Sequence, residues 1–121
     1  MGRRIRKVTW HSLGISSWRK KEIIAFCRQY DEWQEKLLLN SYKRERSNQR
    51  SVRVPEEDAV LLQKIDIVET AIRLTCPEFY EQMLYSITRG LPYGTQSVIP
   101  DSKDFYQMKM AVYGKIHEIL N

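Results

Sequence analysis

Apolar residues recur along most of this chain at steps of three and four, the interval that stacks side chains on one face of an α-helix. Phe26, Tyr30, Trp33 and Leu37 are spaced four, three and four, with Ile23 and Cys27 on the same face. Asp31, Glu32, Glu35 and Lys36 fall mainly off it. The Ser17 hydroxyl is placed to accept a bond from an orphan amide, which makes it the expected N-cap of a helix over 17–43. The pattern lapses in the stretch KRERSNQRSVRV from Lys43 to Val54, so 44–54 reads as a polar linker. Pro55 suits the first turn of a helix, where its missing amide would be unpaired anyway. Glu56, Glu57 and Asp58 follow at the positive end of the helix dipole, a structural account of a carboxylate cluster that elsewhere suggests a metal. Leu61, Ile65, Val68 and Ile72 then carry a helix over 55–74.

Thr75 and Glu78 stand at capping-box spacing, with Pro77 between them, and predict the start of a third helix. Phe79, Met83 and Ile87 mark its apolar face, with Tyr80 and Leu84 beside it, and Gly90 is placed as its left-handed C-terminal residue. Pro92, Gly94 and Pro100 leave room for only a short turn in Leu91 to Pro100. Asp101 or Ser102 then caps a last helix with the stripe Phe105, Met108, Val112, Ile116 and Ile119. Strict alternation is absent except over Arg4–Val8. The expected fold is all-α with four main helices. A flexible basic N-terminal arm over 1–16 is pinned at Trp10 and Leu13, and a single helical domain covers 17–121. Its 77–120 portion is a tri-helical, helix-turn-helix-like segment, with a plain α-hairpin as the alternative.

Charge divides the chain. Residues 1–54 hold 14 Lys/Arg against 5 Asp/Glu, a net +9, and residues 55–121 hold 6 against 10, a net −4. This asymmetry points to a polyanionic partner for the first half. The cations that would meet it are Arg3, Arg4, Arg6 and Lys7 in the arm, and Lys43, Arg44, Arg46, Arg50 and Arg53 around the linker. The linker is also explained as a plain solvated connection. The longest clear aliphatic run is Ala59-Val60-Leu61-Leu62, far short of the ~20 residues of a membrane span. No apolar signal segment follows the basic start, so the expected compartment is the cytoplasm.

Enzymatic chemistry has little support. No GxGxxG, P-loop, HExxH or GxSxG pattern occurs. Ser17 and Lys20 match SxxK without the accompanying motifs, and that spacing equally describes a cap before a basic first turn. Cys27 and Cys76 form no CxxC pair, and His11 and His117 stand apart, so two buried thiols are favoured over a zinc site. No cofactor, metal or catalytic residue is expected. Trp10, Trp18, Tyr42 and Tyr93 fit either ordinary packing or stacking on bases.

Several segments carry a family resemblance. They are Cys27 to Trp33, the basic linker, Glu56 to Leu74, Pro77 to Tyr80, Arg89 to Tyr93, and Asp101 to Tyr106 before the last apolar helix. Together they resemble small phage and prophage transcription regulators of the RinA/ArpU kind, whose C-terminal segment is similar to sigma factor region 4. The resemblance spans Phe26 to Leu120 through diffuse motifs. It implies a DNA-binding helix beginning near Ser102 that presents Ser102, Lys103, Tyr106, Gln107 and Met110, with Lys109 near the backbone. Gln107 would read adenine and Lys103 guanine or phosphate. The chain departs from the family in one respect: Asp101 and Asp104 flank a single Lys103 where several cations are usual. Phosphate affinity then falls to the arm and the linker. Duplex DNA is the expected partner, with host RNA polymerase as a second and no membrane. A homodimer is admitted because symmetric DNA readers are often dimers. The competing reading is a phage-encoded protein-interaction module, or an inhibitor that mimics nucleic acid and binds a host protein.

Overall fold

The computed structural model describes residues 9–46, 56–90 and 102–120. Among them every element is helical: α1 (Ser17–Arg28), α2 (Tyr30–Arg46), α3 (Glu56–Thr75), a 3-10 turn at Pro77–Phe79, α4 (Tyr80–Arg89) and α5 (Ser102–Leu120). The fold is all-α, with four main helices when α1 and α2 are counted as one interrupted run. The expectations for Pro55, for Leu91 to Pro100 and for Asp101 lie outside the described residues.

The first helix differs from the sequence expectation at both ends and in the middle. Ser16, with extended backbone, is the cap, and its hydroxyl accepts from the Arg19 amide at 3.1 Å; Ser17 is the first helical residue. At the other end α2 continues past Lys43 through Arg46, so Arg44 and Arg46 are helical rather than linker residues. Between them the helix breaks at Gln29, whose amide donates to the Phe26 carbonyl at 3.2 Å, one residue short of the α-helical partner. The packing partners change across the break. Helix α1, with buried Ile23 and Cys27, packs on α4 and α5, whereas α2 packs on α3, where Tyr30 bonds Glu69 and Lys64 lies over Trp33. One stripe therefore serves two partners. Phe26 and Trp33 meet edge to face across the break, with ring centroids 4.8 Å apart.

Helix α3 is central, packed most extensively on α5 and α2 and also on α4. Its predicted stripe Leu61, Ile65, Val68 and Ile72 is buried, as is Ala71. The seam with α2 is antiparallel and closed by a polar clamp at each end. At one end Tyr30 donates its phenol to Glu69, and Gln34 donates to the Tyr30 oxygen at 3.1 Å. Burial, and then Glu69, push the Tyr30 phenol well above its usual range. At the other end Asp58 is 2% exposed; Asn40 donates to its Oδ1 at 2.8 Å and Arg44 donates to its Oδ2. Glu56 and Glu57 remain exposed at the helix start, as the dipole argument requires, but Asp58 turns inward and joins two helices.

The expected capping box at Thr75 and Glu78 is not formed. Thr75 is the last residue of α3, held helical as the Cys76 amide bonds the Ile72 carbonyl at 2.8 Å, so it lacks the extended backbone of a cap. The chain turns at buried Cys76, and Pro77 opens the 3-10 turn without a side-chain cap. Gly90 ends α4 with φ +67°, as its position predicts, and its amide bonds the Ser86 carbonyl at 3.0 Å.

Helix α5 is covered on more sides than its stripe suggests. Phe105, Val112 and Ile116 are buried as expected, while Ile119, near the helix end, is exposed. Met110 and Tyr113, off the predicted stripe, are buried too. Part of the cover over this helix, at Tyr113 and Gly114, comes from a capped turn at the start of the described chain. The Thr9 and Ser12 backbone amides donate to each other's hydroxyls at 2.8 and 3.1 Å, and Gly14 closes the turn at φ +71°. Trp10 then stacks on Tyr113 with centroids 5.0 Å apart, and Leu13 lies against Gly114. The expected anchoring of Trp10 and Leu13 is therefore present.

The Asp58 clamp makes a stability prediction. Its hydrogen bonds from Arg44 and Asn40 hold its carboxyl below the usual carboxylate range. That stabilisation is complete above the unfolded value of about 4 and is lost as pH falls through the lower folded value. Asp58→Ala should cost about 1–3 kcal/mol at pH 7 because it leaves the half-buried Arg44 without its carboxylate. In urea melts the gap between parent and variant should narrow below about pH 4.

Candidate nucleic-acid interface

Helix α1 starts with Ser17-Trp18-Arg19-Lys20-Lys21 and has no acidic residue in its first turn. Three cations thus sit at the positive end of the helix dipole, the reverse of the arrangement that stabilises a helix. Each is held by a neighbour. Arg19 Nε donates to His117 Nδ1 at 3.1 Å, and its guanidinium lies 3.5 Å from Glu22. The Lys20 ammonium is 5.5 Å from the Trp10 ring centroid, and that of Lys21 is 4.8 Å from the Trp18 centroid. Trp18 is 74% exposed, so its ring remains accessible although Lys21 lies over it. Trp10, by contrast, is part of the packing against α5. Trp18 was among the aromatic residues that the sequence admitted to base stacking, whereas Arg19, Lys20 and Lys21 stood outside the cations selected from it. The available signal was a helix start carrying three successive cations and no acid.

Contacts between α1 and α5 run antiparallel. Arg19 meets His117 at one end, and at the other the Arg28 guanidinium acts on Lys109. Lys109 is half-buried, and burial first, then Arg28, lower its ammonium below the usual lysine range. Arg28 also lies over Gly90, where a Cβ would collide with the guanidinium. The C-terminal ends of α1 and α4 and the middle of α5 therefore share one basic neighbourhood. Near it Cys27 is buried, and its thiol is pushed up to about 12 by burial; burial also pushes Cys76 up to about 11. Both thiols act as small apolar core residues, as expected.

The reading face expected on α5 is smaller than the sequence implied. Tyr106 is 56% exposed and Asp104 is exposed, but Gln107 is only half-exposed. Met110, assigned to the front, is 2% exposed and belongs to the core, on the side of α5 that carries Gly114 under Leu13. Tyr106 lies eleven residues before His117, roughly 16 Å along the helix. The basic start of α1 is thus at the far end of α5 from its first turn, with Arg28 and Lys109 between them.

Of the linker cations, Lys43 and Arg46 are exposed at the end of α2, with Arg46 5.7 Å from the Tyr42 ring centroid. Arg44 is committed to Asp58. Arg3, Arg4, Arg6, Lys7, Arg50, Arg53 and Tyr93 lie outside the described residues, as do the side chains of Ser102 and Lys103. No helix among the described residues is long and apolar enough to cross a membrane.

The Arg28–Lys109 juxtaposition has a measurable cost. Lys109→Met keeps the stem and deletes the charge, so it should be more stable than the parent at pH 7. The difference should shrink as pH approaches about 10, where the parent lysine sheds its proton in the folded state before it does so unfolded. Thermal melts at both pH values measure it.

No protein-family model, curated protein or solved structure matches this chain.

Proposed function

We propose that this chain is a non-enzymatic, phage-type DNA-binding regulator of transcription that acts on duplex DNA in the cytoplasm. The observation that carries the reading is the start of α1, where Arg19, Lys20 and Lys21 stand at a helix N-terminus beside the exposed Trp18. Backbone amides, fixed cations and an exposed aromatic ring suit phosphate and base contacts together. In this reading α4, the intervening segment and α5 form the helix-turn-helix-like unit. Its base contacts are confined to Ser102, Lys103, Tyr106 and Gln107 in the first turns of α5, because N-terminal residues of a recognition helix do the reading. Arg28 and Lys109 hold the backbone between that end and the α1 end, and the cations at 3–7 and around the linker add phosphate contacts without specifying sequence.

A mobility-shift series tests it. With about six phosphates neutralised, the log–log salt slope should be near −5. Replacing Trp18, Lys20 and Lys21 by alanine should weaken all duplexes alike and flatten the slope, whereas Tyr106→Ala with Gln107→Ala should change sequence preference. No retardation at about 50 mM salt overturns the reading. Exposed Asp104, beside Tyr106, favours the second reading, a module that docks on a host protein such as RNA polymerase. Binding to purified polymerase after nuclease treatment, with none to duplex DNA, would replace the first reading by the second.

A further inference from the structure

We propose that the outward face of α2 is a self-association surface, on which a second copy of this chain packs antiparallel about a two-fold axis at Leu39. The inference does not depend on DNA binding: its apolar and acidic residues lie outside that reading, and it shares with it only Lys43 and Arg46. Helix α2 packs principally on α3, through Tyr30, Trp33, Asn40 and Arg44. The opposite face carries Leu38, which is 73% exposed, with Leu39 and Tyr42 exposed beside it. Three large apolar side chains in two turns of one helix are an adhesive patch rather than scattered surface residues.

Charge around the patch identifies the occupant. Glu35 lies four residues before Leu39 and Lys43 four after it; Glu32 lies seven before and Arg46 seven after. Steps of four and seven keep all of them on the face of Leu39. All four are exposed. Among the described residues Glu32, Glu35 and Lys43 enter no hydrogen bond or ion pair, and Arg46 has only its contact with the Tyr42 ring. An acidic start and a basic end also suit the dipole of α2 itself. The dipole accounts neither for Glu35, in the second turn, nor for the exposed leucines between the charges.

A two-fold axis at Leu39 accounts for both. It sets Glu35 of each copy opposite Lys43 of the other, and Glu32 opposite Arg46. Leu39 meets its own symmetry mate, and Tyr42 lies against Leu38 of the second copy. An isologous interface must be its own complement, and the charges of this face are so in sign. A single helix pair is at the small end of specific interfaces, so the dimer is reversible and weakens with salt.

Sedimentation equilibrium on the full chain over a concentration series tests the assignment. The parent should show a reversible monomer–dimer equilibrium. Glu35→Lys alone and Lys43→Glu alone should each raise the dissociation constant by about tenfold, because each reversal turns two symmetric attractions into repulsions. An equimolar mixture of the two variants should regain parental affinity as a heterodimer, since each then supplies what the other lacks. That recovery also shows that neither variant has lost its fold. Leu39→Asp should abolish association. A chain that stays monomeric throughout, a dimer indifferent to these reversals, or a mixture that fails to recover overturns the proposal.

Discussion

Asp58 is a carboxylate removed from water at the open end of the α2–α3 seam, and such a group is tolerated only with hydrogen bonds to its charged form. Asn40 and Arg44 supply them, which obliges α2 to remain helical as far as Arg44 and to stay in register with α3. The Tyr30–Glu69 bond fixes the other end of the same seam. With both ends tied by polar contacts of defined geometry, the apolar residues between them have one register in which to pack. Arg44 is thereby withdrawn from the basic stretch, while Lys43 and Arg46, on either side of it, point outward. One buried carboxylate thus sorts three neighbouring cations into a structural member and two surface members.

The second constraint is the cover over α5. A helix that packs on α3, on α1 and under the 9–15 turn has few side chains left for a partner, and the exposed ones lie at its two ends, Asp104 and Tyr106 in the first turns and Glu118 and Ile119 in the last. The residues that bury its middle also decide where the basic start of α1 lies, because Trp10 on Tyr113 and Arg19 on His117 bind it to the far end of α5. The charge distribution sets most cations in the first half and the expected reading helix in the second, and antiparallel packing of α1 on α5 relates the two. That packing brings basic residues of the first half alongside the last helix.

How far the sequence was legible depended on how many partners each element has. The stripe Leu61, Ile65, Val68 and Ile72 was readable, being a single apolar face that burial serves directly. The break at Gln29 was not, because a stripe shared by two seams keeps helical spacing through the junction. Met110 was misplaced because the burial of α5 on more than one side comes from elements far off in the chain, such as the turn whose Leu13 lies against Gly114, beyond the reach of any local period. Ser16 and Ser17 are both good caps, and only the extended backbone at Ser16 separates them. The inward turn of Asp58 was likewise invisible, since at a helix start an acid has a sufficient local reason to be there. The Trp18 cluster was legible in principle: a helix that begins with three cations contradicts its own dipole, and such contradictions tend to mark function.

The size of that contradiction can be set against what offsets it. A cation near a helix N-terminus costs about 0.3–1 kcal/mol, so three in the first turns match or exceed the ~1 kcal/mol contributed by a good N-cap such as Ser16. Two aromatic contacts, Lys20 on Trp10 and Lys21 on Trp18, return about 0.5–1 kcal/mol each at exposed sites. The helix start therefore stands, but with little margin. An arriving phosphate offsets these unfavourable terms together, because it adds attractions to the dipole, the amides and the cations in one place. A neutral partner would leave all of them unrelieved. The energetics of the first turn of α1 thus favour an anionic partner on grounds separate from net charge, since they depend on where the cations sit rather than on how many there are.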